Sequence, residues 1–203
     1  MIIGKWNRSV IITYLGMISA VFGMYLAAVM DDPKYAYACL MVAGVCDLFD
    51  GMVARKVKRD EQEKAFGVQL DSLVDVMSFV ALPVTIFVAS GLKDIWYIPL
   101  FAIFGISGIA RLAYFNIMTA DTEGPVEFYT GLPVTYSALI FPLVYLISFA
   151  VDELVFKIIY SVAILVVSLL GVLRINIYKP KGAAYVFFGL LAICLLVVFL
   201  VVI

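Results

Sequence analysis

Long apolar runs, separated by short groups of charged or turn-forming residues, make up most of this chain. A helix needs about 20 apolar residues to cross the hydrocarbon layer of a bilayer. Seven segments reach or approach that length, and we predict a transmembrane helix for each: residues 10–30, 35–56, 66–90, 95–118, 132–150, 154–175 and 183–203. The breaks between them carry Asp-Pro, glycine or lysine signals that are typical of turns. The pattern therefore predicts an all-α, polytopic membrane helical bundle.

The composition agrees with a membrane protein and excludes several kinds of site. The chain of 203 residues is 65% hydrophobic and 14% charged, whereas a soluble domain is nearer half apolar and a quarter charged. It has no histidine, which excludes Ser-His and Cys-His nucleophilic triads and histidine metal sites. The three cysteines lie in apolar runs without metal-binding spacing, so we interpret them as packing residues. No basic tract indicates a nucleic-acid partner.

The distribution of lysine and arginine predicts the orientation of the bundle. Residues 1–9 carry Lys5 and Arg8 before the first apolar run, which is too long for a signal peptide, and we interpret them as an interfacial segment before a retained helix. Cytoplasmic loops carry an excess of positive charge. With the N-terminus in the cytoplasm, most of the 14 Lys and Arg residues fall inside; the three that fall outside are Lys34, Lys93 and Lys157. We expect this orientation in the cell membrane.

Four aspartates interrupt the second and third predicted helices. Asp47 and Asp50 are three residues apart, and Asp71 and Asp75 are four apart, so each pair shares one helix face. A short polar loop joins the two helices, which we expect to be antiparallel neighbours. All four carboxylates then lie at a similar depth, near the cytoplasmic surface.

Carboxylates in a membrane need compensation for their charge. An aspartate inside a span costs about 2.5–3.5 kcal/mol on insertion scales. Either protons or hard divalent cations could offset this cost, and oxygen ligands without His or Cys favour Mg²⁺, Mn²⁺ or Ca²⁺. The cluster predicts a site for one metal ion or for a pair of them.

Small and basic residues beside the aspartates indicate a phosphate ligand. Gly51 and Ala54 follow Asp47 and Asp50 by four residues each and leave a shallow trough, and Arg55 could bind a phosphate with both arms of its guanidinium. These features together suit a pyrophosphate or nucleotide headgroup. The alternatives are a small-residue helix contact for Gly51 and Ala54, and an interfacial anchor for Arg55.

The spacing of these residues resembles a family signature. Residues 47–75 read Asp-x2-Asp-Gly-x2-Ala-Arg-x11-Gly-x3-Asp-x3-Asp, which is similar to the signature of the CDP-alcohol phosphotransferase family. The loop from Lys56 to Phe66 is longer than is usual there. Three segments resemble the phosphatidylserine synthase branch: Gly67 to Phe79, Arg111 to Asn116 (with Tyr114 in place of the second Arg of that branch), and Tyr129 to Pro133.

The resemblance implies an architecture and a set of roles. It implies a homodimer with a six-helix catalytic core over residues 10–176. Residues 177–203 add no family motif, and we interpret them as a cytoplasmic turn and an additional transmembrane helix, a lipid-facing packing helix. By resemblance, Asp47, Asp50 and Asp71 bind metal, and Asp75 is the general base and a further metal ligand. CDP and its pyrophosphate would contact Asp47, Gly51, Ala54, Arg55 and Gly67. Serine or the lipid phosphate would contact Arg111, Asn116, Thr130 and Gly131.

The residues assigned to serine or the lipid phosphate have alternative interpretations. Arg111 could be a positive-inside anchor, and Asn116 and Thr130 could cap helix ends.

The reaction implied by the resemblance is phospholipid synthesis. The phosphatidyl group of CDP-diacylglycerol, or of an ether-lipid equivalent, would pass to the hydroxyl of L-serine and give phosphatidylserine and CMP, with two Mg²⁺ or Mn²⁺ ions per active site. One alternative is the same chemistry with glycerol phosphate or inositol phosphate as the acceptor. A distant alternative is a cation- or proton-coupled transporter, although transport sites lie near the bilayer midplane on broken helices.

Overall fold

The computed structural model describes residues 4–7, 10–120, 128–178 and 183–202. It is an almost entirely helical bundle, which confirms the predicted fold class. The helices are α1 Ile11–Met30, α2 Pro33–Lys56, α3 Glu61–Val76, α4 Leu82–Ala89, α5 Ile98–Ala120, α6 Ser137–Tyr145, α7 Glu153–Val172 and α8 Ala183–Val197. Two short strands, β1 Phe128–Thr130 and β2 Asn176–Tyr178, pair in antiparallel fashion. This pairing was not predicted from the sequence.

Among the described residues, five helical segments are long and apolar enough to cross a membrane, and they coincide with five of the predicted spans. They are Ile11–Met30, Pro33–Ala54, Glu61–Ala89, Ile95–Met118 and Glu153–Val172. The other two predicted spans correspond to shorter apolar helical segments, Val134–Phe149 and Phe187–Val201. The first of these contains Pro142, which lacks the N–H for one helical hydrogen bond, and it has single 3₁₀ turns at both ends.

The segment Glu61–Ala89 combines α3 and α4 into one 29-residue helix. A π-helical turn, Met77–Ala81, joins them directly after Asp75. In an α-helix the ring of Pro83 would clash with the carbonyl of Phe79, four residues earlier. Phe79 lies in the middle of the wider turn, so the π turn allows the helix to continue past the proline.

Close contact between α1 and α2 fixes the position of the helix that carries Asp47 and Asp50. A Cβ atom at Gly23 would lie 2.8 Å from the Cβ of Cys39, and one at Gly16 would lie 3.2 Å from the Cβ of Cys46. The hydroxyl of Ser19 also donates a hydrogen bond to the carbonyl of Cys39 at 2.9 Å. The small residues let the two backbones approach closely, as in other membrane helix pairs.

The aromatic core lies toward the other end of α2, away from the aspartates. Tyr37 and Tyr160 are fully buried, and their hydroxyl oxygens are 2.5 Å apart. Phe199, in the π-helical turn Val198–Val202 that follows α8, is also fully buried and packs against the ring of Tyr37 with centroids 5.3 Å apart. The C-terminal helix therefore packs one face against the bundle, with Ala192 and Leu195 of α8 also buried.

Ion pairs mark the two ends of the bundle. Lys5 lies 3.9 Å from Asp60, which brings the N-terminal segment next to the loop between α2 and α3. Lys93 pairs with Asp31 at 2.5 Å and joins the α1–α2 turn to the loop after α4. These pairs are exposed and contribute little to stability, but they agree with helices that alternate in direction.

We expect Gly131→Ala to destabilise the bundle. Gly131 has φ +74°, and a Cβ atom there would lie 2.5 Å from the carbonyl oxygen of Gly171. The left-handed conformation alone costs a non-glycine residue about 1–3 kcal/mol. Thermal unfolding in detergent should show a melting temperature several degrees lower. Gly189→Ala is the control, because a Cβ atom at Gly189 meets nothing within 4 Å, and an equal loss in both variants would contradict the prediction.

Candidate metal centre

The four aspartates of α2 and α3 converge at one end of the bundle. One carboxylate oxygen from each of Asp47, Asp71 and Asp75 lies within 4.8 Å of the others. The carboxyl group of Asp50 lies beside that of Asp71. The antiparallel arrangement and the three- and four-residue spacings produce this cluster, as the sequence predicted. Their roles as ligands and base stay predictions.

The cluster is poorly accessible to water and has polar but uncharged partners. Asp50 and Asp75 are 8% and 9% exposed. Thr13, on α1, donates a hydrogen bond from its hydroxyl to Asp50 at 2.9 Å, and Thr135 donates one to Asp47 at 3.1 Å. Within the described part of the chain, no ion pair involves any of the four aspartates. Their negative charge is therefore not balanced by direct contact with a basic side chain.

The donor set fits a hard divalent cation. Oxygen atoms on opposite sides of an octahedral Mg²⁺ ion lie about 4 Å apart, and Ca²⁺ allows slightly more. Adjacent ligand oxygens lie about 3 Å apart. The oxygen atoms of Asp47, Asp71 and Asp75 all lie within 4.8 Å of one another, so an inward movement of the side chains would be needed to place them on one ion. Carboxylate ligands alone favour Mg²⁺, Mn²⁺ or Ca²⁺.

A polar cleft opens on the side of the cluster formed by Asp50 and Asp71. It is lined by Gly51, Ala54 and Gly67, together with Val10, Thr13, Arg59 and Val68. A Cβ atom at Gly51 would meet nothing within 4 Å in the described part of the chain, so Gly51 is not a helix contact. Ala54 shares the cleft. Arg55 lies in the last turn of α2, and its side chain lies outside the described part of the structure.

An apolar cleft opens on the other side of Asp47. It lies between α2, α6 and α8, and its walls include Met41, Val45, Leu139, Phe188 and Ala192. Asp47 and Thr135 form its polar end. One of the four aspartates is therefore reached from an apolar groove in the bundle, while Asp50 and Asp71 face the polar cleft.

Arg111 approaches the cluster from α5. It is 7% exposed, and its guanidinium group lies over the ring of Phe115 at 5.4 Å from the centroid. The nearest acidic neighbours that influence it are Asp75 and Asp47, but neither forms an ion pair with it. Its Nε atom is buried without a hydrogen-bond partner among the described residues. A buried guanidinium with spare donors suits an anionic ligand better than the alternative of an interfacial anchor.

The remaining predicted ligand-binding residues differ in their placement. Asn116 donates a hydrogen bond from Nδ2 to the hydroxyl of Ser72 at 2.7 Å, next to Asp71 in the sequence. Thr130 pairs with Asn176 in the two-stranded sheet, so it does not cap a helix as the alternative proposed. Gly131 donates a backbone hydrogen bond to Ile175 at 2.8 Å. The described contacts of Thr130 and Gly131 are thus with the segment after α7, not with the aspartates.

Three residues of the site were missed by sequence reasoning. Thr13 and Thr135 bind the aspartates through their hydroxyl groups, but threonine is common in apolar helices and gave no signal. Arg59 lines the polar cleft, although it was counted only as a loop charge. The signal that could have identified Arg59 was the presence of a charged residue in an unusually long loop.

Fold and site together define an integral membrane protein with a carboxylate cluster suited to a divalent metal at one end of a helical bundle. The chain belongs to the CDP-alcohol phosphatidyltransferase family, whose model matches residues 6–173. The match includes all four aspartates and ends before α8. The family found in the sequence by resemblance is therefore confirmed.

Several curated relatives carry the same kind of name. The chain is 31% identical to an archaetidylserine synthase of Methanothermobacter thermautotrophicus over 166 residues, which cover 80% of this chain and 69% of that protein. It is 30% identical to the CDP-diacylglycerol–serine O-phosphatidyltransferase of Saccharomyces cerevisiae, over 65% of this chain and 52% of the relative. A Helicobacter pylori enzyme of the same name is 31% identical to the chain, over 63% of this chain and 50% of that protein. The chain thus spans between half and about two thirds of these relatives.

We expect Asp71→Asn to abolish high-affinity binding of Mn²⁺. The substitution keeps the side-chain shape but removes one negative charge from a cluster of three converging carboxylates. Calorimetric titration of the detergent-solubilised protein would measure the change. Glu61→Gln is a matched control, because Glu61 lies on the same helix with its side chain 98% exposed. Unchanged Mn²⁺ affinity in Asp71→Asn would contradict the ligand role.

We expect Gly51→Ala to impair nucleotide binding without loss of stability. The added methyl group would enter the polar cleft and meet no protein atom, and alanine is favoured over glycine in a helix by about 1 kcal/mol. The melting temperature should stay the same or rise, while the affinity for CDP in the presence of Mn²⁺ should fall at least about tenfold. A variant with normal CDP affinity would show that ligands do not approach this part of α2.

Proposed function

We propose that this protein transfers the phosphatidyl group of CDP-diacylglycerol, or of an ether-lipid equivalent, to the hydroxyl of L-serine. The products are phosphatidylserine, or its ether-lipid counterpart, and CMP. The observation that carries the proposal is the convergence of Asp47, Asp50, Asp71 and Asp75 at one end of the bundle. The names of the curated relatives, which are serine-transferring enzymes in bacteria, archaea and yeast, support serine as the acceptor.

The site suits a substrate that is half lipid and half nucleotide. The polar cleft beside Asp50 and Asp71 would receive the cytidine and the pyrophosphate, with Gly51, Ala54 and Gly67 along its wall. The apolar cleft that ends at Asp47 would receive a hydrocarbon chain of the lipid. Each cleft borders a different part of the aspartate cluster, so the phosphate attached to the lipid would lie beside the cluster.

Two Mg²⁺ or Mn²⁺ ions would be held by Asp47, Asp50, Asp71 and Asp75. When bound, they would neutralise the pyrophosphate and stabilise the charge that develops on the departing CMP. The hydroxyl groups of Thr13 and Thr135 keep Asp50 and Asp47 in fixed orientations through single hydrogen bonds. Such partners orient a carboxylate and leave its negative charge intact.

Asp75 is the proposed general base. It is 9% exposed and lies one helical turn deeper than Asp71. Its carboxylate would accept the proton of the serine hydroxyl while the serine oxygen forms a bond to the phosphorus attached to the lipid. The bond between that phosphorus and the oxygen of CMP breaks, and CMP leaves with the electron pair.

Arg111 is the proposed receptor for the carboxylate of serine. Its buried guanidinium lies near Asp75, and its Nε donor has no partner in the part of the chain that the structure describes. A carboxylate matches the two-pronged geometry of arginine, and this location would hold the hydroxyl of serine close to the base. Asn116 donates a hydrogen bond to Ser72, the residue after Asp71. Its side chain therefore lies against α3 and would help to orient the amino acid.

Acceptors that carry a phosphate group are less suited to this site. Glycerol phosphate or inositol phosphate would bring about two negative charges, and Arg111 is the one buried basic residue near Asp75 in the described part of the chain. Tyr114 replaces the second arginine of the branch motif. A transporter is also disfavoured, because Asp47, Asp50 and Asp71 lie toward the α2–α3 loop and the Glu61–Ala89 helix continues past Asp75 without a break.

We propose that the site faces the cytoplasm of a cell-membrane enzyme that works as a homodimer. The N-terminal segment and the α2–α3 loop lie at the same end of the bundle through the Lys5–Asp60 contact. Both are rich in basic residues, which favours the cytoplasmic side. Serine and CMP would then exchange with the cytoplasm.

The deciding experiment is an assay of CMP release from CDP-diacylglycerol with L-serine, glycerol 3-phosphate and inositol 1-phosphate as separate acceptors. Purified protein with Mg²⁺ or Mn²⁺ should release CMP rapidly only with serine and should convert labelled serine into a lipid. Preference for a phosphorylated acceptor would assign the chain to another branch of the family. Absence of CMP release with all acceptors would contradict the enzymatic proposal.

We expect Asp75→Asn to lose turnover by at least about a thousandfold while retaining affinity for the CDP-lipid, because the amide cannot accept the serine proton. Steady-state assays and a CDP-lipid binding assay would separate the two effects. Glu61→Gln is again the control. Near-normal turnover in Asp75→Asn would show that another group acts as the base.

A further inference from the structure

Arg59 is a basic residue of the polar cleft that the family signature does not include. We propose that Arg59 binds the phosphate groups of the cytidine nucleotide, on the side of the cleft away from Arg111. The proposal rests on the function proposed above for this site and adds a specific binding residue to it. The chemical class of the ligand is a nucleoside diphosphate, either free or as the headgroup of a lipid.

The location of the guanidinium depends on a glycine in the next helix. Arg59 lines the same cleft as Asp50, Gly51, Ala54 and Asp71. Its Nη1 atom lies 3.1 Å from the position that a Cβ atom would occupy on Gly67. Any side chain at residue 67 would press against the guanidinium, so this glycine gives Arg59 room to cross the first turns of α3 and reach the cleft.

The donors of Arg59 are available to a ligand. The side chain is half-buried, and in the described residues it forms neither an ion pair nor a hydrogen bond with a side chain. Asp50 and Asp71 line the same cleft but are too distant for an ion pair. A guanidinium has five N–H donors in a planar fork that matches phosphate oxygens. Metal-bound carboxylates on one wall and Arg59 on the other would both favour a pyrophosphate between them.

The backbone of Arg59 is held in place by the start of α3. Asp60, the next residue, is the N-cap of that helix and forms a capping box with Glu63: Glu63 N–H donates to Asp60 Oδ1 at 2.6 Å, and Asp60 N–H donates to Glu63 Oε2 at 2.9 Å. Such caps typically raise the helix–coil equilibrium constant about fivefold. A fixed backbone lowers the entropy lost when the arginine binds a ligand.

The other basic residues of the loop differ from Arg59. Lys56 and Lys58 are exposed, and neither lines the polar cleft. The loop between α2 and α3 therefore directs one basic side chain toward the ligand site and the others toward water. In this proposal, the extra length of the loop serves to place Arg59 at the polar cleft.

The test compares Arg59→Ala with Lys58→Ala, which removes the same charge from an adjacent exposed position. Binding of CDP, CMP and cytidine to the full-length protein in detergent would be measured by calorimetry with saturating Mn²⁺. We expect Arg59→Ala to weaken CDP binding at least about tenfold, to weaken CMP binding less, and to leave cytidine binding unchanged. Lys58→Ala should change each affinity by less than about twofold. Arg59→Lys should recover part of the CDP affinity, because lysine keeps the charge without the planar fork.

Two controls separate a local effect from misfolding. The melting temperature and Mn²⁺ affinity of Arg59→Ala should match those of Lys58→Ala. Equal CDP affinity in the two alanine variants would overturn the proposal, and so would an equal loss of CDP and cytidine binding in Arg59→Ala. The outcome is independent of the acceptor: if the wild-type protein binds CDP but does not use serine, the proposed function fails while the role of Arg59 is still decided by these affinities.

Discussion

Repulsion among four carboxylates is the constraint on which the rest of this structure depends. Asp47, Asp50, Asp71 and Asp75 come together in a site where Asp50 and Asp75 are buried and the other two are half-buried, and like charges repel more strongly as the local dielectric falls. Hydroxyl donors orient two of these side chains but leave their charge unchanged. Doubly charged cations would make the close approach favourable. The glycine contacts between α1 and α2 and the continuous α3–α4 helix hold the backbones so that the aspartates cannot move apart.

The two arginines of the site lie on different sides of this cluster. Arg59 shares a cleft with Asp50 and Asp71, whereas Arg111 lies on the α5 side, near Asp75. An in-line displacement at phosphorus needs the entering and leaving groups on opposite sides of the atom. The proposed roles suit that geometry, because the nucleotide would leave toward the polar cleft and the amino acid would enter from the side of α5. The apolar cleft at Asp47 provides a third direction for the hydrocarbon chain.

Much of this arrangement could be predicted from the sequence because it depends on local periodicity. Five long spans and the convergence of the aspartates follow from apolar run lengths and from spacings of three and four residues. Contacts between distant segments could not be predicted in this way. The hydroxyl groups of Thr13 and Thr135, 37 and 88 residues from their aspartates, gave no pattern, and neither did the pairing of β1 with β2. Which side of α8 contacts the bundle could not be predicted, because a uniformly apolar helix does not indicate which side contacts protein.

The glycines show why residue identity alone was ambiguous. Gly51 and Gly131 look equivalent in the sequence, and both were assigned to ligand contacts. In the structure Gly131 has a positive φ and a carbonyl group against it, whereas Gly51 faces open space. At Gly131 the backbone conformation requires glycine, whereas at Gly51 the missing side chain leaves space that a ligand could occupy. Only the surroundings of each residue separate a structural glycine from one that borders a ligand site.

The length of the Glu61–Ala89 helix determines how the site meets its two environments. Its 29 residues extend about 43 Å at 1.5 Å per residue, whereas the hydrocarbon layer is about 30 Å thick. Counting about 20 residues back from Ala89 reaches the region of Asp71, so the first turns of the helix project into the headgroup layer. The cluster then lies at the boundary between the hydrocarbon layer and the headgroup layer. A lipid could reach the cluster by lateral diffusion within the bilayer, while small polar molecules could bind and dissociate from the aqueous side.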